Sequence, residues 1–292
     1  MGKQMEPVLL VGDRPLTNSI ASCLQQAGCV FTGVKRVPDE VKTAYGLAIL
    51  ITEEDLEIKK TKIAELEKVL DTNAIIAVNT ETIGLDTLQK DAAFPRRLIG
   101  VNWTEPADTT FFLEIIANNV TDPELADQVC HIAVAFWQKD PYVIHGNMGI
   151  RMRLMAAMIR EAFYLVENGY ATVEDIDRAC RNDAGYYLPF AGNLRYMDLM
   201  GTYAYGMVMK DLNPELSKGT HIPAFFQEML LQKEWGMEGE KGFYTYSPGE
   251  DKKWQALLGK FSGEAKELMD KYPLKYNPEE VAEPVRNGFN FR

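Results

Sequence analysis

The chain opens with an unbroken apolar run at Val8–Val11, and similar runs return at Leu47–Thr52, Ala74–Asn79 and Leu98–Trp103. Short continuous apolar runs bounded by Gly, Pro or Asn read as strands covered on both faces. Between them the pattern changes to helical stretches. The first helix is predicted from about Pro15 to Ala27 and is stopped by Gly28, with a strand following at Cys29–Val34. A second helix reaches about Leu70 and a third about Gln89. Asp122-Pro123 then caps a helix to about Gln138, and a last strand lies at Tyr142–His145. Strands alternating with helices predict an α/β domain with a largely parallel sheet over residues 1–145. Residues 146–292 read as all-α: a Met-rich helix at Ile150–Glu167, a helix start capped by Thr172, and a helix at Lys252–Tyr272 before an unassigned polar end. The Met and Leu spacing of Ile150–Glu167 reads as core or dimer packing.

Strand, turn, helix and strand in the first stretch form the opening of a Rossmann-type dinucleotide-binding unit. The loop after the first strand is Gly12-Asp13-Arg14-Pro15-Leu16-Thr17, which keeps only the first glycine of G-x-G-x-x-G. Arg14 puts a long side chain where close backbone approach is wanted, although its guanidinium can itself meet a phosphate. Asp13 adds a negative charge beside the helix N-terminus, where the anion would lie. Lys35 and Arg36 end the second strand, where a ribose-binding acid would stand. Two cations there suit a 2′-phosphate, so NADP fits better than NAD if a dinucleotide binds; they read equally as a solvated basic pair.

Composition narrows the partners. The 292 residues carry a net charge of −11, and basic residues cluster only as Lys35-Arg36, Lys59-Lys60 and Arg96-Arg97. That argues against nucleic acid or an anionic membrane as partner. No apolar run approaches membrane-spanning length, and the N-terminus lacks a signal-type apolar core. Four cysteines without framework spacing and three scattered histidines predict a reduced, cytoplasmic chain with no metal site.

The stretch Gly100–Ile116, GVNWTEPADTTFFLEII, joins a strand, a Pro-containing turn and an apolar run with one carboxylate, Glu114. From these residues alone it reads as an enzyme site or as an ordinary strand–loop–strand with an exposed Glu. It resembles the G-x-H-F-F-N-P motif of the 3-hydroxyacyl-CoA dehydrogenases, which carry a Glu twelve residues after the His. In that family the His removes the hydroxyl proton and the Glu orients the His. Here Asn102 stands at the His position, Glu105 at the Asn, Pro106 at the Pro and Glu114 at the Glu.

Other segments resemble the same family. Glu54 and Lys59 match its E-x-L-x-x-K, which implies places near the nicotinamide ribose. Asn79-Thr80-Glu81 resembles S-N-T-S-S, with Glu81 replacing a Ser that contacts the substrate hydroxyl. Met152 replaces the substrate-facing Asn of V-N-R. Glu174-Asp175-Ile176-Asp177 and Gly242-Phe243-Tyr244-Thr245-Tyr246 resemble the family's EDID and G-F-Y-x-Y segments. The segment between Lys35 and Leu47 is too short for the family's helical hairpin, which helps hold CoA.

The resemblance implies a Rossmann-type domain followed by a helical domain of the 6-phosphogluconate-dehydrogenase type that pairs as a homodimer. Because Asn102 cannot take up a proton, it also implies that the family's His–Glu catalysis is impaired or lost, leaving a protein that binds a small-molecule ligand. The alternative is an active NADP-dependent oxidoreductase on a small or cationic hydroxy or oxo acid, with Glu105 or Glu114 as base. If the family geometry carries over, Glu81, Glu105 and Glu114 gather around Asn102; otherwise some of them turn to solvent.

Overall fold

The computed structural model describes residues 6–273; the unassigned polar end of the chain falls outside them. The chain divides into two compact units that part after Ile159, inside a helix and beyond the last strand.

The first unit holds seven strands: β1 Val8–Val11, β2 Phe31–Val34, β3 Leu47–Leu50, β4 Ile75–Val78, β5 Leu98–Asn102, β6 Phe112–Ala117 and β7 Asp140–His145. They form one sheet in the order β2-β1-β3-β4-β5-β6-β7, with every pairing parallel except β5–β6. The unbroken apolar runs follow from this layering. Val8 and Leu10 enter a core with helices α1 (Pro15–Gln26) and α4 (Pro123–Ala135). Leu9 and Val11 enter a second core with α2 (Leu56–Val69) and α3 (Leu85–Gln89).

Strand order reverses at β1, and the crevice beyond the carboxyl ends of such strands is where open α/β sheets gather ligands. Gly12, Glu54 and Glu81 follow the ends of β1, β3 and β4, and Asn102 is the last residue of β5. The connection from Val34 to Leu47 contains no helix.

Local chemistry sets the helix ends. Asp55 caps α2 by accepting from the Ile58 amide at 2.9 Å, and Asp122 caps α4 by accepting from Glu124 at 3.2 Å. Helix α4 ends at Ala135, short of Gln138. Trp137 turns into the core, and Gln138 adopts a left-handed φ of 54° to let it do so.

Helix α5 (Arg151–Glu167) runs through the division between the units. The second unit continues with α6 (Val173–Ala179), a π-turn at Cys180–Ala184, α7 (Gly185–Met200), α8 (Thr202–Leu212), α9 (Ala224–Leu231) and α10 (Glu250–Lys271). Thr172 and Asp175 cap α6 reciprocally, the Thr hydroxyl accepting from the Asp175 amide at 3.1 Å and the Asp carboxylate from the Thr172 amide at 3.2 Å. The two motif segments of this unit hold each other: Tyr244 donates its hydroxyl to Asp177 at 2.8 Å. Phe243 stacks nearly parallel on Phe226. Little of this unit is buried. Tyr203 is 81% exposed and Leu231 79%, and Leu154 and Met158 on α5 are also exposed. On α5, Phe163 packs on Phe225, Phe226 and Phe243, while Leu154 and Met158 remain exposed among the described residues.

Candidate active site

The antiparallel β5–β6 ladder pairs Asn102 directly with Glu114. Residues directly opposite in such a ladder share a face, so their twelve-residue spacing is a hairpin register. Both side chains are fully buried, which rules out an exposed Glu114. The Asn102 amide is completely engaged. Its nitrogen donates to Glu114 Oε2 and to the Thr80 carbonyl, both at 2.9 Å, and its oxygen accepts from the Thr80 N–H at 2.7 Å.

Glu114 is equally occupied. Its Oε1 accepts from the Tyr142 hydroxyl at 3.0 Å, the Ile150 amide at 2.7 Å and the Arg151 amide at 3.2 Å. With Asn102 that makes four donors, three on Oε1 and one on Oε2. Helix α5 begins at Arg151, so a glutamate from a neighbouring strand serves as its cap. The negative charge sits where unpaired amides and the helix dipole favour it. Gly149 permits this approach, since a Cβ there would lie 1.8 Å from Glu114 Oε2. Tyr142 arrives by register, because β7 sets it beside Glu114. Burial, and then the Glu114 charge, push the Tyr142 phenol well above its ordinary value.

Glu81 follows β4 and accepts from Arg151 Nη2 at 2.6 Å, while the guanidinium lies over the Phe112 ring at 5.5 Å. Burial raises the Glu81 carboxyl; Arg151 opposes this, and the charges of Glu114 and Glu54 reinforce it. Glu81 Oε2, Arg151 Nε and Thr80 Oγ1 are buried without hydrogen-bond partners.

Glu105 does not join this group. It is exposed in the turn between β5 and β6, outside the ladder, and partial burial alone raises its carboxyl. Of the two arrangements the sequence left open, the second is found: Glu114 braces Asn102, Glu81 pairs with Arg151, and Glu105 turns to the surface.

Glu54 and Lys59 tie two loops together. Glu54 Oε1 accepts from three successive amides, Glu81 at 3.0 Å, Thr82 at 2.7 Å and Ile83 at 2.8 Å. Its Oε2 lies 3.1 Å from the Lys59 ammonium. Lys59 is fully buried and donates to the Asn79 carbonyl at 2.7 Å and to Asn79 Oδ1 and Thr52 Oγ1, both at 3.1 Å. Asn79 completes the tie through the Thr52 backbone. Burial lowers the Lys59 pKa, with Glu54 working against it. Burial also raises the Glu54 carboxyl, but the amide bonds and Lys59 outweigh it and hold the group below its ordinary value.

The loop after β1 is closed on itself. Pro15 has no N–H to offer, the Thr17 and Asn18 amides donate to the Arg14 carbonyl, and the Arg14 amide donates to Thr17 Oγ1. A Cβ at Gly12 would lie 2.5 Å from that same hydroxyl. Asp13 pairs with Lys35 at 3.0 Å, both largely exposed. The Arg14, Thr17 and Asn18 amides are thus engaged within the loop, and the Lys35 side chain pairs with Asp13 beside it. Met152 is half-buried in the first turn of α5. Among the described residues no group of three or more His, Cys, Asp or Glu is placed to hold a metal ion. No helix among them is long and apolar enough to cross a membrane.

Residues 25–147 match the sequence profile of the 3-hydroxyacyl-CoA dehydrogenase NAD binding domain, and residues 150–246 match that of the C-terminal domain. The chain belongs to the 3-hydroxyacyl-CoA dehydrogenase family. The match to the NAD binding domain starts beyond β1, the Gly12 loop and most of α1.

One relative in this family is the 5-formyl-3-hydroxy-2-methylpyridine 4-carboxylate 5-dehydrogenase of Mesorhizobium japonicum, 26% identical over 248 residues, covering 82% of this chain and 78% of the relative. The 3-hydroxyadipyl-CoA dehydrogenase of Escherichia coli is 26% identical over 206 residues, 70% of this chain but only 42% of that protein. Among solved structures, a 5-formyl-3-hydroxy-2-methylpyridine 4-carboxylic acid 5-dehydrogenase, described as an NAD+-dependent dismutase, superposes with a TM-score of 0.81 at 20% identity, covering 92% of this chain and all of that one. FadB2 of M. tuberculosis gives 0.65 at 23% identity, covering 84% and 100%. At such identities these two likenesses speak to the fold alone.

Four contributors to the site escaped the sequence reading. Thr80 lay inside a quoted motif, but its role is carried by its backbone. Tyr142 and Arg151 reach Glu114 only through the β6–β7 register and the start of α5, and Gly149 acts by lacking a side chain.

Proposed function

We propose that this family member has lost the standard dehydrogenase reaction and binds a small-molecule ligand in its place. The observation that carries this reading is the Asn102 amide, which holds the place of the proton-accepting His and spends both its ends on Thr80 and Glu114. A group with no titratable proton, locked by its neighbours, braces the fold and moves no proton. The test is turnover of acetoacetyl-CoA with NADH or NADPH. No rate above solvent background is expected. A measurable rate in the wild type overturns the proposal.

A second reading rests on Glu105, an exposed carboxyl that partial burial raises and that a ligand can reach. It makes the protein an NADP-dependent oxidoreductase on a small hydroxy or oxo acid, cationic ones included, with Glu105 in the role of base. Loss of a measured turnover in Glu105→Gln, with the fold intact, would favour it.

Dinucleotide binding is proposed to be weak and to lean on Arg14 and Lys35, with NADP ahead of NAD. The exposed Asp13 partner holds Lys35 only loosely, since such pairs contribute about 0–1 kcal/mol. A thermal-shift series should show a smaller response to NADPH in Lys35→Asp than in the wild type. An unchanged ranking of NADH and NADPH rules out that role for Lys35. The exposed apolar side chains of α7, α8 and α10 support a homodimer. Sedimentation as a monomer at micromolar concentration contradicts it.

A further inference from the structure

The charges around Asn102 are mostly spent inside the protein. Glu114 has four donors, and Glu54 has three amides and Lys59. What is left over is the pair Glu81–Arg151. One oxygen of Glu81 and one guanidinium nitrogen of Arg151 meet at 2.6 Å, while Glu81 Oε2 and Arg151 Nε are buried and unpartnered. Next to Glu81 in the chain, the fully buried Thr80 also keeps an unpartnered hydroxyl. Buried polar atoms are paired in the great majority of cases, so three orphans on neighbouring groups ask for a ligand with matching polarity.

Beside these buried atoms, 29% of the Arg151 and 20% of the Glu81 side chain is exposed. Phe112 supports one face of the guanidinium and itself meets Tyr142 edge-on at 5.9 Å, which holds the planar fork in place.

We propose that Arg151 and Glu81 recognise a small free carboxylic acid that carries a hydroxyl or ammonium donor near its carboxylate. The carboxylate accepts from the Arg151 guanidinium, and the donor group hydrogen-bonds to Glu81 Oε2. An Arg fork matches a carboxylate in geometry and charge, whereas a thioester or ester presents no anion to it. A cation without a carboxylate would meet Arg151 unfavourably, and an acid without a donor would leave Glu81 Oε2 orphaned. This assignment rests on the reading of the site as a ligand site without the family's reaction.

The experiment is calorimetric titration of the full-length protein with four probes of one carbon skeleton: 3-hydroxybutyrate, 3-aminobutyrate, butyrate and methyl 3-hydroxybutyrate. Saturable binding of either of the first two is expected, and which one binds identifies the donor. Butyrate and the methyl ester should each bind at least about tenfold more weakly, the scale of one charge-assisted hydrogen bond. Arg151→Gln, which leaves the backbone amide on Glu114 in place, should weaken the bound acid by a similar factor. Equal binding of the methyl ester, unchanged affinity in Arg151→Gln with a native melting curve, or no binding of either acid overturns the assignment. Turnover of acetoacetyl-CoA tests the parent reading separately, so the two can fail independently.

Discussion

Glu114→Ala is expected to destabilise the protein by about 3–5 kcal/mol, because several buried donors lose their acceptor at about 1–3 kcal/mol each. The Asn102 amide, the Tyr142 hydroxyl and the first amides of α5 would all lose their acceptor in a site closed to water. Denaturant unfolding followed by far-UV circular dichroism reads the loss directly. Glu114→Gln keeps the volume but sets an NH₂ against a donor on one side, and about 1–3 kcal/mol is expected. A native stability in Glu114→Gln together with an abolished turnover would instead make Glu114 a proton carrier. The two readings of this residue therefore predict opposite pairs of results.

The second large effect is expected at Glu54. Its removal orphans three successive amides and leaves the fully buried Lys59 ammonium without its carboxylate. Glu54→Ala should cost about 3–5 kcal/mol. Lys59→Met should cost less when made together with Glu54→Gln than either change predicts alone, because neither then leaves a lone buried charge. The pH dependence has a definite sign. The Glu54 carboxyl lies below its ordinary value in the folded protein, so its contribution is complete above the unfolded carboxylate pKa of about 4.3 and is lost as pH falls through the folded value. Glu54→Gln should flatten the acid limb of the stability curve. An unaltered acid limb would show that the three-amide bond contributes nothing.

Much of the fold could be read from the chain because its strands are buried on both faces, which writes them as unbroken apolar runs such as Val8–Val11 and Leu47–Leu50. Helix starts were legible where a side chain caps its own helix, as at Asp122 and Thr172. The start of α5 was legible to within one residue, although its cap comes from Glu114, on a strand far away in sequence. The end of α4 was missed, because Trp137 leaves the helix for a core assembled by other elements.

At the site, the positions of Asn102 and Glu114 followed from the resemblance to the family motif, but the Arg151 partner of Glu81 did not. Nothing local in His145–Arg151 marks that arginine, since its role depends on where β4 ends. Glu105 shows the converse. A motif position places a residue in the chain but cannot say whether its side chain enters the ladder or leaves it.

The cap on α5 also changes what the presence of Glu114 can be taken to mean. A residue that holds four donors and starts a helix has a role in folding, with or without a reaction to support. In this chain Asn102 stands where the family's motif has a histidine, and Glu114 holds the α5 amides and Tyr142 through its other oxygen. A glutamate found at this spacing in another sequence reports a working helix start as readily as a working relay; the residue twelve positions before it tells the two apart.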